Sequence, residues 1–392
     1  MSLDLERHLV AKANEAFQPL TANFELTPVC NFNCEMCFIR MSRHETEAYG
    51  GIQSADRWIA IASQLQQMGT LFILLTGGEP MLHPEFDRIY TTLRSMGFIM
   101  TLNTNGTMIT EKMCRETFKE KPRRMNVTLY GTNPDTYERL THNRNGFEQT
   151  MRGLRLLRDY DIDTKINLSM LQINGEEYDQ LMAIADELGF PVVSNSYMTP
   201  DRRKTCATPC HTLEARLSPQ EAARLDNLFH RYKQAGEYPT YARNAVFKAE
   251  EGTPSDEGVT LSCRAGRSSM WIDWQHHVTP CVMMEAPFVD LTTGEAHSVT
   301  TPEALRRGMV DISDIHTPVS SQIVSGDIAA AWQWLVHECL QLPSIDDCKG
   351  CRLKHICQVC YAAAIHEKQQ YGSLGYLCKM AEGSLEYLKQ PH

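Results

Sequence analysis

The sequence predicts an α/β protein built on a parallel sheet, and three observations carry that reading. Short apolar runs alternate with longer amphipathic stretches from residue 22 to residue 198. The runs are apolar nearly throughout, as strands are when both faces of a sheet are covered. Cap and stop residues punctuate the intervening stretches at the places where helices begin and end.

The elements follow in order. ANFELTP (22–28) is the first strand; Ser54 before ADRWIAIASQLQQMG, with Gly69 as a stop, brackets the first helix over 54–68. LFILLTGG is the second strand and 84–96 its helix. FIMTLNTNG is the third, with Thr110 opening a helix over 110–119. MNVTLYG precedes a helix over 134–158, DTKINLSMLQIN precedes one over 175–188, and PVVSNSYM is the sixth strand. The periodicity then breaks into TPDRRKTCATPCH, with the basic turn Arg202, Arg203 and Lys204. SPQEAARLDNLFHRYKQAG reads as a helix capped by Ser218 with Pro219 in its first turn. Residues 236–262, rich in Gly, Pro and acids, read as a linker. The organisation expected is an N-terminal extension (1–21), a β/α unit (22–215), a bridging helix and linker (216–262) and a cysteine-rich unit (263–392).

A chain of 392 residues with 42% hydrophobic and 22% charged residues has material for two folded units and is not disordered. Its net charge of −10 argues against general nucleic-acid binding. No apolar run approaches the roughly 18 residues of a membrane helix, and the start lacks the apolar stretch of a signal peptide. The expectation is a cytoplasmic protein with no nucleic-acid or membrane partner. Its 14 cysteines are then not disulfides, and their clustering calls for metal, catalysis or burial.

TPVCNFNCEMCFIR sets Cys30, Cys34 and Cys37 at a C-x3-C-x2-C spacing. Three thiolates can hold one corner of a four-iron cluster and leave the fourth iron open for a reactant; the alternatives are zinc with a remote fourth ligand or an incidental grouping. With Phe38 following at once at the end of a first strand, the motif resembles the signature of the radical SAM enzymes. TGGEP (Thr76–Pro80) closes the second strand at the place where that family meets the amino group of S-adenosylmethionine. Two glycines permit close backbone approach, and Glu79 supplies a carboxylate for the ammonium.

The resemblance spans roughly residues 22–200 and implies a partial (β/α)6 barrel. It places Gly77, Gly78 and Glu79 at the methionine end of the cofactor. LNTNG and VTLYG resemble the family's next strand ends, putting Asn103, Thr128 and Ser169 near ribose or carboxylate. Arg139 or Arg144 is the expected carboxylate partner, and Phe38 and Leu171 flank the adenine or pack in the core. It further implies that the open iron chelates S-adenosylmethionine, whose reductive cleavage yields a 5′-deoxyadenosyl radical that takes a hydrogen atom from the substrate.

Cys348-x2-Cys351-x5-Cys357-x2-Cys360-x17-Cys378, with Cys263 and Cys281 before it, resembles the SPASM extension, a small cysteine-rich α+β domain that binds two auxiliary [4Fe-4S] clusters. By that resemblance Cys348, Cys351, Cys357 and Cys378 hold one cluster, and Cys263, Cys281 and Cys360 the other; a zinc ribbon is the alternative. Two departures stand out. Gln358 and Val359 leave two residues where the family has three, and Ser268 and Ser269 stand where it often has a further cysteine. That leaves the first auxiliary cluster with an open iron, or with Cys206, Cys210 or Cys339 as fourth ligand. Cys206 and Cys210 are also candidate hydrogen-atom donors at the barrel mouth. Cys114 is expected in the core, and His276 and His277, in a turn where the family prefers glycine, are expected to be structural.

The function implied is hydrogen abstraction from a ribosomally made peptide with net oxidation, forming a thioether or another cross-link, fed by a flavodoxin- or ferredoxin-type electron donor. Cys30 comes too early in the chain for a leader-binding domain before it, which points to a separate leader-binding partner or to a smaller substrate. The alternatives are a radical SAM dehydrogenase of a small molecule or single side chain, and a zinc-stapled binding protein without chemistry.

Overall fold

The computed structural model describes residues 3–200, 212–252, 254, 256–298, 323–357 and 359–390. Cys206 and Cys210, with the basic turn before them, lie outside the described residues. All six expected strands form: β1 (Thr21–Glu25), β2 (Phe72–Thr76), β3 (Ile99–Thr104), β4 (Arg124–Leu129), β5 (Thr164–Ser169) and β6 (Val192–Asn195). They pair in parallel and in chain order from β1 to β6, with helices on the connections. The result is the expected α/β partial barrel.

The helices occupy the expected stretches with local differences. Helix Ala55–Gln67 starts after Ser54, but the Ser54 side chain makes no cap; Glu85 Oε2 instead accepts from the Ala55 N–H at 2.9 Å. Thr110 caps helix Glu111–Arg115 through the Met113 N–H. The single helix expected over 134–158 is two, Pro134–Thr141 and Gly146–Asp159, because His142 adopts a left-handed conformation (φ 54°) that closes the first. Residues 236–262 are not simply a linker. Tyr238–Glu251 is a helix, and Tyr238, Ala242, Ala245 and Ala249 form a buried stripe along it.

Nor are the strands buried alike on both faces. On β3, β4 and β5 buried Met100, Leu102, Met125, Val127, Ile166 and Leu168 alternate with half-exposed Asn103, Asn126, Thr128, Asn167 and Ser169. The apolar set packs under the helices. The polar set faces the lumen, where Asn126 donates to Asn103 at 2.8 Å. An open half-barrel keeps its inner face for a ligand, so that face carries polar residues rather than a second core.

The chain after residue 262 extends the same sheet. β7 (Ser269–Ile272) lies parallel to β1, and β8 (His277–Thr279), β9 (Phe288–Asp290) and β10 (Ala296–His297) add antiparallel strands beyond it. His276, in the β7–β8 turn, is buried with φ 68° against Trp58, which accounts for glycine being favoured at such a turn. Helix Ile328–Leu340 docks on helix Ala55–Gln67, where Gln64 Nε2 donates to the Gly326 carbonyl at 2.8 Å. Cys114 is buried in the core, as expected.

A buried ion pair joins the barrel to the C-terminal helices. Arg216 donates to Glu367 at 2.6 Å, Tyr197 donates to the same carboxylate at 2.9 Å, and the guanidinium stacks 3.8 Å from the Tyr376 ring centre. Glu367 is wholly buried and Arg216 nearly so. Breaking such a pair strands a charge in a dry interior. Glu367→Ala is expected to lose about 3–5 kcal/mol of stability, whereas the double change Arg216→Met/Glu367→Leu recovers most of it. Urea denaturation midpoints check this, and a single variant that unfolds with the native chain removes the pair from the account.

Candidate active site

The site begins where β1 ends. Thr27–Val29 leads into the cysteine loop, and the turn after β2 lies flat against it. Gly78 N–H donates to the Thr27 carbonyl at 2.7 Å, and Glu79 N–H to the Val29 carbonyl at 2.9 Å. A Cβ on Gly77 would stand 2.3 Å from the Thr27 carbonyl oxygen. One on Gly78 would stand 2.5 and 2.6 Å from those of Val29 and Pro28. Both glycines are therefore required by backbone packing before any ligand is considered.

Glu79 does not line the cavity, although its partners Thr104 and Asn105 do. Its buried carboxylate accepts from Thr104 Oγ1 at 2.9 Å, from the Asn105 N–H at 2.9 Å and from the Met81 N–H at 3.3 Å. Burial pushes its pKa up to about 7 even though these donors favour the anion. Glu79 thus ties the end of β2 to the end of β3. Asn105 passes the connection on: its side-chain amide donates to Asn31 Oδ1 at 2.8 Å and reaches Cys30 Sγ at 3.7 Å. Asn31 in turn donates to Thr107 at 2.8 Å.

The cysteine loop is also pinned from its other side. Asn33 and Glu35 N–H groups donate to the carbonyls of Thr141 and Leu140 at the end of helix Pro134–Thr141. Cys30, Cys34 and Cys37 all lie within electrostatic reach of the Tyr130 hydroxyl, which follows β4. Tyr130 packs edge-on against Phe32 and Tyr137. Burial pushes the Cys30 thiol up to about 12 and the Cys34 thiol well above its ordinary value. Free thiols here are neutral, and a cation that binds them must displace their protons.

These elements enclose a cavity of about 320 Å³. Cys30, Cys34, Cys37 and Phe38 form one end, and Gly77 and Gly78 a side. Asn103, Thr128 and Ser169 stand at the ends of β3, β4 and β5, and Asn195, Tyr197 and Met198 at the far end. Of the expected cofactor-binding residues, the structure gathers Phe38, Gly77, Gly78, Asn103, Thr128 and Ser169 around this one space. Three others lie off it. Glu79 holds the turn from behind. Leu171 is fully buried among Leu140, Met198 and Ala215. Arg139 is exposed on helix Pro134–Thr141, and its alternative, Arg144, pairs with Asp135 at 2.6 Å and Glu138 at 2.9 Å.

Sequence reasoning missed Asn31, Thr104, Asn105 and Tyr130. The motifs LNTNG and VTLYG contained three of them, but periodicity alone did not show which residue of each strand end turns toward the thiols.

The later cysteines fall into two neighbourhoods. Cys348, Cys351, Cys357 and Cys378 lie within electrostatic reach of one another. Cys263 and Cys281 lie near Cys339, and Cys360 stands just before helix Tyr361–Tyr371 with no side-chain cap bond. Among the described residues no three His, Cys, Asp or Glu side chains converge tightly enough to hold a single metal ion. Met283, two residues beyond Cys281, lines the cavity.

A parallel half-barrel with three thiols at the C-terminal ends of its strands defines a class of enzyme, and comparison with known proteins agrees. Residues 24–188 match the Radical SAM superfamily. Those residues form a radical SAM domain, and that family binds S-adenosylmethionine and a [4Fe-4S] cluster. The chain is 24% identical over 277 residues to the AdoMet-dependent heme synthase of Methanosarcina barkeri, covering 67% of this chain and 76% of the relative. It is 27% identical over 196 residues to the antilisterial bacteriocin subtilosin biosynthesis protein AlbA of Bacillus subtilis, covering 49% and 43%. The solved structure of native anSMEcpe with bound AdoMet and Cp18Cys peptide superposes with a TM-score of 0.62 at 15% identity, over 94% of this chain and 96% of that one. That likeness is one of fold. No helix among the described residues is long and apolar enough to cross a membrane.

Gly78→Ala tests the packing of the turn. The added methyl must push the Pro28–Val29 backbone, and Cys30 with it. Iron bound per chain after anaerobic reconstitution is expected to fall by about four, the content of one cubane. An unchanged iron content would show that the turn tolerates the methyl and does not set the cysteine loop.

Proposed function

We propose that Cys30, Cys34 and Cys37 hold the catalytic [4Fe-4S] cluster and that the adjoining cavity receives S-adenosylmethionine against its open iron. The cluster and S-adenosylmethionine together supply a 5′-deoxyadenosyl radical. The chain's own part is placement. The Gly77–Gly78 backbone meets the amino-acid end, Asn103, Thr128 and Ser169 offer hydrogen-bonding groups to carboxylate or ribose, and Phe38 offers an aromatic face. Met36, Met198 and Met283 add apolar surface to the lining.

The substrate reading we favour is a peptide, oxidised by hydrogen abstraction and closed into a thioether or other cross-link, with two auxiliary clusters in the C-terminal region taking up the electron. One observation carries it: Met283 lines the catalytic cavity two residues after Cys281, so the second group of cysteines abuts the reaction space. AlbA is named for bacteriocin biosynthesis and anSMEcpe was solved with a peptide, which supports this choice. A small-molecule substrate is the second reading, favoured by the match to a heme synthase over two thirds of the chain.

Anaerobic reconstitution tests the proposal. The native chain should bind about twelve irons and release 5′-deoxyadenosine under dithionite. A Cys30/Cys34/Cys37→Ala variant should hold about eight and release none, at four irons per cubane. A native count near eight that falls to four would remove one auxiliary cluster. Release by the triple variant would remove these cysteines from catalysis.

A further inference from the structure

The loop after Cys263 contains no further cysteine, and its serines are already engaged. Ser268 is fully buried and accepts from Arg264 Nε at 3.3 Å; Ser269 opens β7 and accepts from Asn23 Nδ2 at 3.2 Å. A thiol from elsewhere in the chain enters this loop instead. Cys339 lies in the last turn of helix Ile328–Leu340, and a Cβ built on Gly266 would stand 2.5 Å from its sulfur. Gly266 has φ 65° and carries no side chain, so the 263–269 loop closes directly over that sulfur. Cys281, Glu338 and Cys263 lie near Cys339, and Tyr361, the residue after Cys360, lies near it as well.

We propose that Cys339 is the fourth thiolate of the auxiliary cluster held by Cys263, Cys281 and Cys360. The assignment rests on the two-auxiliary-cluster reading above. It adds that this cluster is closed: each of its four irons has a protein thiolate, each thiol having given up its proton on ligation. A closed cluster has no open iron on which to anchor a substrate thiolate or amide. Its role beside Met283 is therefore not to hold the substrate but to take one electron from the product radical, going from the +2 to the +1 state, and to give it up to a flavodoxin- or ferredoxin-type protein.

The test uses this chain with Cys30, Cys34 and Cys37 changed to Ala, so that only auxiliary iron is counted. This background should bind about eight irons, and adding Cys339→Ser should lower the count toward four, with the spectrum of the Cys348 site kept. Eight irons and an unaltered spectrum in the Cys339→Ser protein would overturn the assignment alone. A background holding only about four would overturn it together with the two-cluster reading.

Should the substitution disturb folding, the otherwise native chain gives a second measurement. Under anaerobic conditions Cys339 should resist iodoacetamide while iron is bound. It should become alkylated after chelation, in step with Cys263 and Cys281 and unlike core Cys114. Alkylation of Cys339 that does not depend on iron would overturn the proposal.

Discussion

Everything at this site depends on how closely the turn after β2 lies against the chain leaving β1. Two glycines bring the backbones into direct hydrogen bonding, and Glu79 behind them clamps the ends of β2 and β3. Asn105 then reaches across to Cys30 and its neighbour Asn31. The position of the thiols, the shape of the cavity and the row of polar residues at the strand ends all follow from this one junction. A buried carboxylate held by several donors is a rigid fastening, because moving it leaves either the charge or the donors unsatisfied.

The same constraint separates the roles of neighbouring residues. Gly77 and Gly78 line the cavity with backbone, whereas Glu79 stabilises the turn and contributes no lining surface. The lumen-facing Asn103, Thr128 and Ser169 sit on adjacent strands in a two-residue stagger, Asn103 being level with Asn126 and Thr128 with Asn167. Beyond β1 the sheet continues into β7 and β8, which carry the chain to Cys281 and back to the cavity wall at Met283. Continuity of the sheet therefore fixes the second cysteine group relative to the first.

Much of this was legible in the residues. Strand and helix periodicity located all six barrel strands, and cysteine spacing with TGGEP pointed to residues that line the candidate cavity. Four features were not legible, each for a physical reason. The helix Tyr238–Glu251 hides its buried stripe in alanines, whose small side chains give little apolar contrast in a stretch rich in Pro and acids. The strands looked uniformly apolar, but the alternation of Asn, Thr and Ser along β3 to β5 is meaningful only once the half-barrel is known to be open. Arg139 sits where helix phase turns it to solvent. Cys339 lies 58 residues after Cys281, and only the packing of its helix brings it to Gly266.

The central claim is that the three-cysteine loop presents an open iron to the cavity. It is tested most directly by electron paramagnetic resonance of the dithionite-reduced protein, with Cys348, Cys351, Cys357 and Cys378 and also Cys263, Cys281, Cys339 and Cys360 changed to Ala so that only the Cys30 loop can hold iron. Addition of S-adenosylmethionine should shift the g values of the reduced cluster, as a new ligand on one iron must. A cluster whose spectrum is indifferent to S-adenosylmethionine would contradict the account.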